Sequence, residues 1–330
     1  MQYGVEMPDL ESTSEDRLDA PQLIGARLGL AALRSVLEVH RAWLEKRPGG
    51  LQASLRGIAL AEANLEKVNL ERADLKSAIF IDARLSGANL SAANLQWADL
   101  GNATLLEADL SRADLTDAKM DFALLAAANL SEARLVRTSL LRANLREARL
   151  LEASMEQCNF KGAVLREASL HQTKAFDCNF ADADLTGAKL YHAAFRHCKL
   201  RGISGAGSNW STATLLSCEF QGADLASARF ERADLRQTSF WCATLTGSSF
   251  ERARMTGTDL ERADLAGARF HDAVTLGANL CRANLRGAQG FTPSQLGQAR
   301  TDRDTILPNG THGPFMLGSG AHRPGRIEPG

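Results

Sequence analysis

The order of hydrophobic and polar residues repeats every five positions over most of the chain. From Leu55 to Gly290, 43 of the 48 positions spaced by five are Leu, Phe or Met, and 35 of the 48 positions two residues earlier are Ala. The other three positions of each unit are mostly polar. A helix needs apolar residues three and four apart, and a strand needs them two apart, so neither explains this period.

A coil with four sides of five residues explains the period. The large apolar residue and the Ala before it point inward, and 20 residues complete one turn. Successive turns stack at about 4.8 Å through backbone hydrogen bonds. Residues 20 apart then form columns, and Cys158, Cys178, Cys198 and Cys218 keep this spacing. The sequence therefore predicts an all-β solenoid of about 12 four-sided coils over residues 51–290.

The repeat units ANLEK, ADLKS, ANLSA and ADLSR follow an A(D/N)LXX pattern. Residues 51–290 resemble the pentapeptide-repeat proteins through these units, and that resemblance implies a right-handed quadrilateral β-helix. The functions of that family are varied, so the resemblance concerns the fold. Members that confer quinolone resistance resemble duplex DNA and bind DNA gyrase. Gyrase or topoisomerase binding, with protection from topoisomerase inhibitors, is therefore the alternative function.

The charge of the chain disfavours DNA mimicry. The repeat region has 28 acidic and 28 basic residues, and the net charges of the four sides are −2, +1, +2 and −1. A duplex about 58 Å long, the length of 12 stacked coils, carries about 34 phosphate charges. The whole chain has a net charge of −1, which also disfavours direct nucleic-acid binding.

Two segments precede the repeats. Residues 1–20 are acidic and are predicted to be disordered. Residues 21–50 are predicted to form a helix over 21–47 and a linker. The helix has leucines seven residues apart, at Leu23, Leu30, Leu37 and Leu44. We expect an amphipathic helix that packs on the rod and covers the outward residues Ile79 and Ile81; the alternative is a coiled-coil dimer.

Two segments follow the repeats. Residues 291–305 are predicted to form a short helical cap, with Thr292 at the N-cap and Pro293 in the first helical position. Residues 306–330 contain ten Gly or Pro and are predicted to be a disordered tail. Self-association through the N-terminal helix or this C-terminal segment is the other open interpretation.

Three features of the repeat region are candidates for binding a protein partner. An outward apolar cluster contains Leu106, Phe122 and Leu124. A basic stretch contains Arg196, Lys199 and Arg201. The pattern breaks at residues 201–210, where Gly205 and Trp210 replace the usual central residue and the glycines suggest a bulge or small loop.

The sequence predicts no catalytic, cofactor or metal site. Four cysteines in a straight column cannot converge on one zinc ion, so we interpret them as interior residues. No signal peptide or membrane span is evident, and we expect a cytoplasmic protein. The sequence thus favours a non-enzymatic protein–protein interaction module, a rigid rod that presents ladders of side chains to a protein partner.

Overall fold

The repeat region is a β-solenoid. The computed structural model describes residues 26–323, and in it parallel bridges join residues 20 apart from Ser54 to Gln289. The bridges form four ladders, which we number as faces 1 to 4. The bridging positions begin at residues 54, 59, 64 and 69 on faces 1, 2, 3 and 4, respectively, and recur every 20 residues.

Backbone hydrogen bonding explains the composition of each repeat unit. In one unit, the N–H groups of Asn89, Leu90 and Ala92 donate to neighbouring turns at 2.8, 2.7 and 2.7 Å. The Ala93 N–H donates to Leu90 O at 3.1 Å and closes a β-turn. The remaining N–H, that of Ser91, donates to the Asn89 side chain at 3.0 Å. Asp or Asn before the central residue therefore supplies the acceptor that the backbone lacks.

The third residue of each β-turn has a left-handed backbone. Ala92, for example, has a φ of 53°. This left-handed residue recurs at every corner of the coil, and the central residue and the small residue two positions before it point inward, as Leu90 and Ala88 show, both being buried. The interior is consequently one continuous column of side chains.

Face 1 contains the longest strands of the solenoid. Here three consecutive residues pair between turns, and the strands form a five-stranded parallel sheet in the order β3–β4–β5–β6–β7. Their bounds are Arg134–Val136 for β3, Ser154–Glu156 for β4, Lys174–Phe176 for β5, Ala194–Arg196 for β6 and Thr214–Leu216 for β7.

A short strand and a helix cover the N-terminal end of the rod. Strand β1 (Ala26–Arg27) pairs in parallel with β2 (Ile58–Ala59) on face 2. Helix α1 (Leu30–Leu44) follows, so it begins later than the predicted residue 21. Leu33 is buried in the core, and Val36 and Leu37 pack against that core, as expected for an amphipathic helix that packs on the rod. Residues 1–25, including Leu23 and the segment predicted to be disordered, lie outside the described residues.

His40 attaches α1 to the first turn. Its Nδ1 accepts a hydrogen bond from the Ala53 N–H at 3.0 Å, and the imidazole is fully buried. The accepting Nδ1 identifies the neutral tautomer with the proton on Nε2. Burial lowers the pKa of His40 below its ordinary value, against a smaller opposing effect of Glu71.

A second helix follows the last repeats. Helix α2 (Pro293–Gln298) has Thr292 at its N-cap and Pro293 in its first turn, which confirms the prediction for this short helix. Thr292 and Gln295 form a capping box. Neither described helix is long and apolar enough to cross a membrane.

The segment after α2 continues the ladders. Arg300 bridges Asn279, Ile306 bridges Asn284, and Leu307 and Ala321 are buried. The prediction of a disordered tail is therefore wrong for residues 306–323. Glycine and proline here serve turns that fold the chain back over the end of the rod. Residues 324–330 lie outside the described residues.

Candidate interaction surface

Side chains fill the interior of the rod, and grooves lie on its surface. One groove of about 370 Å³ follows face 4. Its floor includes Ser91 and Ser131, whose hydroxyls already donate to Asn89 and Asn129 at 2.6 and 2.7 Å. Among residues 26–323, no three His, Cys, Asp or Glu side chains are close enough together to hold a metal ion.

An apolar cluster interrupts the polar surface of face 3. Leu106, Phe122 and Leu124 have 39%, 46% and 41% of their surface exposed. Leu124 lies in the face 3 ladder between Thr104 and Asn144. Leu106 follows the ladder position of the preceding turn, and Phe122 lies at the corner just before Leu124. The sequence prediction that these three side chains point outward is confirmed. We call these three residues the apolar patch.

Phe122 occupies a strained backbone position. Its φ is 60°, in the left-handed region that L-residues with a Cβ avoid. Glycine fills the equivalent turn position at Gly162 and Gly202 on the same corner, with φ values of 64°. A large exposed aromatic residue is therefore present where glycine would fit the backbone better. Other corners of the rod also carry non-glycine residues in this conformation, for example Trp97 and Arg142, with φ values of 55° and 53°.

All three cations of the predicted basic stretch are exposed, but only Arg201 forms an ion pair among the described residues. Arg201 donates to Glu219 at 2.7 Å. Among the described residues, Arg196 and Lys199 have no acidic partner within ion-pair distance. Arg196 belongs to β6 on face 1, and Lys199 is at the next ladder position on face 2. These two cations therefore lie near the edge that the two faces share.

The break at residues 201–210 is neither a bulge nor a loop. Ser204 and Asn209 keep their bridges to both neighbouring turns, so the register is continuous. Gly205 is buried, and the Trp210 side chain points inward with none of its surface exposed. The prediction that these two residues contact a partner is wrong, because both belong to the core. What looked like a break in the pattern is a change of core side-chain size.

A hydrogen-bonded chain links the two unusual core positions. Trp210 Nε1 donates to Ser208 Oγ at 2.8 Å, and that hydroxyl donates to Gly205 O at 2.6 Å. A Cβ at Gly205 would lie 2.9 Å from Leu225 Cδ2, because Leu225 already fills this space. Ser208, which replaces the usual Ala, thus satisfies the indole that the larger residue brings into the core.

The cysteine column is buried inside the rod. Cys158 Sγ donates to Leu135 O at 3.0 Å, and the hydroxyls of Thr138 and Thr258 make the equivalent contacts at 2.8 and 2.9 Å. The neighbouring Cys178 thiol and burial raise the pKa of Cys158 far above its ordinary value. Cysteine and threonine therefore serve here as small interior hydrogen-bond donors.

Ile79 and Ile81 are half-buried on face 2, one turn beyond β2. The core contacts of α1 involve the first turn, where Ile58 and Ala63 pack against the same cluster. Docking of the N-terminal helix on Ile79 and Ile81 thus stays a prediction.

Sequence reasoning missed a concentration of positive charge. Faces 1 and 2 of the four turns between residues 133 and 202 carry eight Lys or Arg and three Asp or Glu. Faces 3 and 4 of the corresponding turns, between residues 143 and 212, carry four of each. Summing each face over its whole length hid this difference, because acidic turns precede the basic ones. Sorting the charges by both face and turn would have found it.

Family models match most of the repeat region. One, described as pentapeptide repeat region, matches residues 128–204 and 153–230. The other, described as pentapeptide repeats (8 copies), matches residues 53–91, 93–131, 228–267 and 263–289. A comparison with curated proteins found no match.

Several solved structures are similar to this chain. HetL, from the cyanobacterium Nostoc sp. strain PCC 7120, is described as a pentapeptide repeat protein involved in heterocyst differentiation regulation. It is 26% identical, with a TM-score of 0.33, and the match covers 87% of this chain and all of HetL. QnrB1, a plasmid-mediated fluoroquinolone resistance protein, is 19% identical, with a TM-score of 0.22 and coverages of 51% and 91%. A pentapeptide repeat protein from the Arabidopsis thaliana thylakoid lumen is 26% identical, with a TM-score of 0.20 and coverages of 30% and 74%. The family of this chain is therefore established by the two family models and not by its similarity to these solved structures.

Proposed function

We propose that this chain, which belongs to the pentapeptide-repeat family, is a non-enzymatic rod that binds a protein partner through the apolar patch. The observation that carries this proposal is the exposure of Leu106, Phe122 and Leu124 together on one face. Contiguous exposed apolar side chains are typical of interaction sites, and aromatic residues often dominate the binding energy there.

The handedness of the rod and its number of coils are part of the same proposal. The family resemblance implies a right-handed quadrilateral β-helix, and the 20-residue period over residues 51–290 gives about 12 coils; the 20-residue spacing of the bridges supports this proposal. Such a rod is a rigid support. Its patch would need little ordering on binding, which lowers the entropic cost of association.

Polar and charged residues surround the patch. Glu107, Asp121, Arg142 and Arg146 lie on neighbouring corners and turns, with both signs of charge. An apolar centre with a mixed polar rim fits a protein partner that inserts one or two apolar side chains. It does not fit a polyanion or a small-molecule substrate.

Photo-cross-linking in the source cell tests the proposal. Benzoylphenylalanine replaces Phe122 in one variant and Trp241 in a control variant. Trp241 is 41% exposed and lies at the end of face 2, about six coils from the apolar patch. We expect one protein adduct at position 122 that is absent at position 241 and is lost when Leu106 and Leu124 are changed to Asp. The same adducts at both positions, or none at position 122, would contradict the proposal.

Gyrase or topoisomerase binding is the alternative, and it follows from the family resemblance and not from the charge of this rod. Identification of a gyrase or topoisomerase subunit in the adduct would favour it. The following test is a supercoiling reaction with a fluoroquinolone present, in which the intact protein should restore activity and Phe122→Gly should not.

A further inference from the structure

The basic turns of faces 1 and 2 form a continuous strip, which we call the basic edge. Its eight cations are all exposed. They are Arg134, Arg137, Arg142, Lys161, Lys174, Arg196, Lys199 and Arg201. Only three anions, Glu156, Asp177 and Asp182, share these turns and faces, so the side chains of the strip have a net charge of +5.

Half of these cations lack a partner within the chain that the structure describes. Arg137 pairs with Asp117 at 2.6 Å and Arg201 with Glu219 at 2.7 Å, and Arg134 and Lys161 have acidic neighbours at 4.0 Å. Among residues 26–323, no carboxylate lies within ion-pair distance of Arg142, Lys174, Arg196 or Lys199. These four cations are therefore available to an anionic ligand.

The charge of faces 1 and 2 has the opposite sign nearer the N-terminal end. Three turns between residues 73 and 122 carry six Asp or Glu and two Lys on these faces. An acidic ligand moving along the two faces is repelled by these turns and attracted by the next four. The change of sign defines the N-terminal boundary of the basic edge.

The chain itself contains an acidic segment that precedes β1 in the sequence. Residues 1–20 carry six carboxylates and one arginine. The carboxylates are Glu6, Asp9, Glu11, Glu15, Asp16 and Asp19. The segment joins the described structure at Ala26, whose strand β1 pairs with Ile58 on face 2. It is thus tethered to one of the two faces that form the basic edge.

The segment is long enough to reach the basic edge. Seven inter-turn spacings separate β1 from Lys174, and eight separate it from Lys199, which gives about 34 and 38 Å at about 4.8 Å per turn. Glu11 is 15 residues before Ala26 and can extend about 50 Å. Glu6 and Asp9 reach further. The tether also gives the segment a high effective concentration at the strip.

We propose that residues 1–20 dock on the basic edge, with their carboxylates paired to Lys174, Arg196 and Lys199. The contact is electrostatic, reversible and weakened by salt. In this contact the segment supplies carboxylates to three cations that lack an acidic partner among residues 26–323. Lys174, Arg196 and Lys199 are not among the residues that surround the apolar patch, so this contact is independent of the partner proposed above.

Zero-length carbodiimide cross-linking of the full chain tests the docking, because it joins a lysine to a carboxylate only when they are in contact. We expect amide links from Lys174 and Lys199 to carboxylates of residues 1–20, mapped by mass spectrometry. Lys189 is the matched control, since it is exposed in the turn between them but lies on face 4. The yield of the links from Lys174 and Lys199 should fall at least fivefold in 0.5 M NaCl.

Two results would overturn the proposal. One is an equal yield of links at Lys189, or no link from residues 1–20 to either predicted lysine. The other is a yield at Lys174 and Lys199 that rises with protein concentration, which would assign the contact to a second copy. A Lys174→Glu/Lys199→Glu variant with unchanged circular dichroism should also lose the links from the segment to the remaining basic-edge lysine, Lys161.

Discussion

The hydrogen bonds from Trp210 to Ser208 and from Ser208 to Gly205 predict energetic coupling between Gly205 and Trp210. Both are central residues of one turn, on faces 3 and 4, where Leu or Phe is the rule. If the tryptophan compensates for the glycine, each single reversion to leucine should destabilise the rod. The double reversion, Gly205→Leu with Trp210→Leu, should recover much of the loss because it restores the ordinary repeat.

The structure gives the size of each effect. At Gly205 even a Cβ would lie 2.9 Å from Leu225 Cδ2, so Gly205→Leu overpacks the core and should cost about 3 kcal/mol. Trp210 is wholly buried and contacts the rings of Phe195, Phe220 and Phe230. Trp210→Leu leaves a cavity and removes the bond to Ser208, a cost of about 2–3 kcal/mol.

A double-mutant cycle measures the coupling. Denaturant unfolding followed by circular dichroism gives the free energy of unfolding for the parent, both single variants and the double variant. We expect the double variant to be at least about 2 kcal/mol more stable than the two separate losses would give. Gly205→Leu combined with Phe270→Leu is the control. Phe270 lies three turns away on face 4, and that pair should be additive within about 0.5 kcal/mol. Additivity of Gly205→Leu and Trp210→Leu would refute compensation.

Three further predictions concern titration, thiols and turns. Because the pKa of His40 is lowered in the fold, the unfolded chain binds more protons, so stability should fall as the pH drops below 6.5; thermal melts from pH 7.5 to 5.5 should show a smaller fall in His40→Leu. Only Cys242 and Cys281, the two partly exposed cysteines, should react quickly with a thiol reagent in the native protein, and all six in denaturant; fast labelling of four or more would contradict a buried column. Asp114→Ala removes acceptors for the N–H and hydroxyl of Thr116 at 3.0 and 2.6 Å and should cost about 1–2 kcal/mol by chemical denaturation, whereas a loss below 0.3 kcal/mol would show that water replaces them.

The sequence predicted the solenoid because one structure, a four-sided coil of 20 residues, explains the period, the small inward residues and the columns of like residues. The column of Cys158 and its neighbours was correctly interpreted as interior, because small residues 20 apart must stack. The helix at residues 293–298 was also predictable, because Thr292 and Pro293 act locally.

What the sequence did not predict depends on packing across the chain. Gly205 and Trp210 looked like a surface break because each departs from the pattern alone, whereas their burial in the core and their link through Ser208 become visible only in three dimensions. The tail after residue 305 looked disordered from its glycine and proline content, yet Ile306 extends a ladder. The basic edge required charges to be sorted by both face and turn.

The central claim is that the apolar patch binds a protein partner, and Phe122→Gly tests it most directly. Glycine fits the φ of 60° at this position, so the variant should fold with a change of only about 0–1 kcal/mol in stability. With the partner identified from the cross-linked adduct and then purified on its own, the dissociation constant of its complex should rise at least tenfold for Phe122→Gly. Gln172→Gly, an exposed turn residue with a φ of 59° on another face, should leave it unchanged. Equal affinities of the parent and Phe122→Gly would contradict the account.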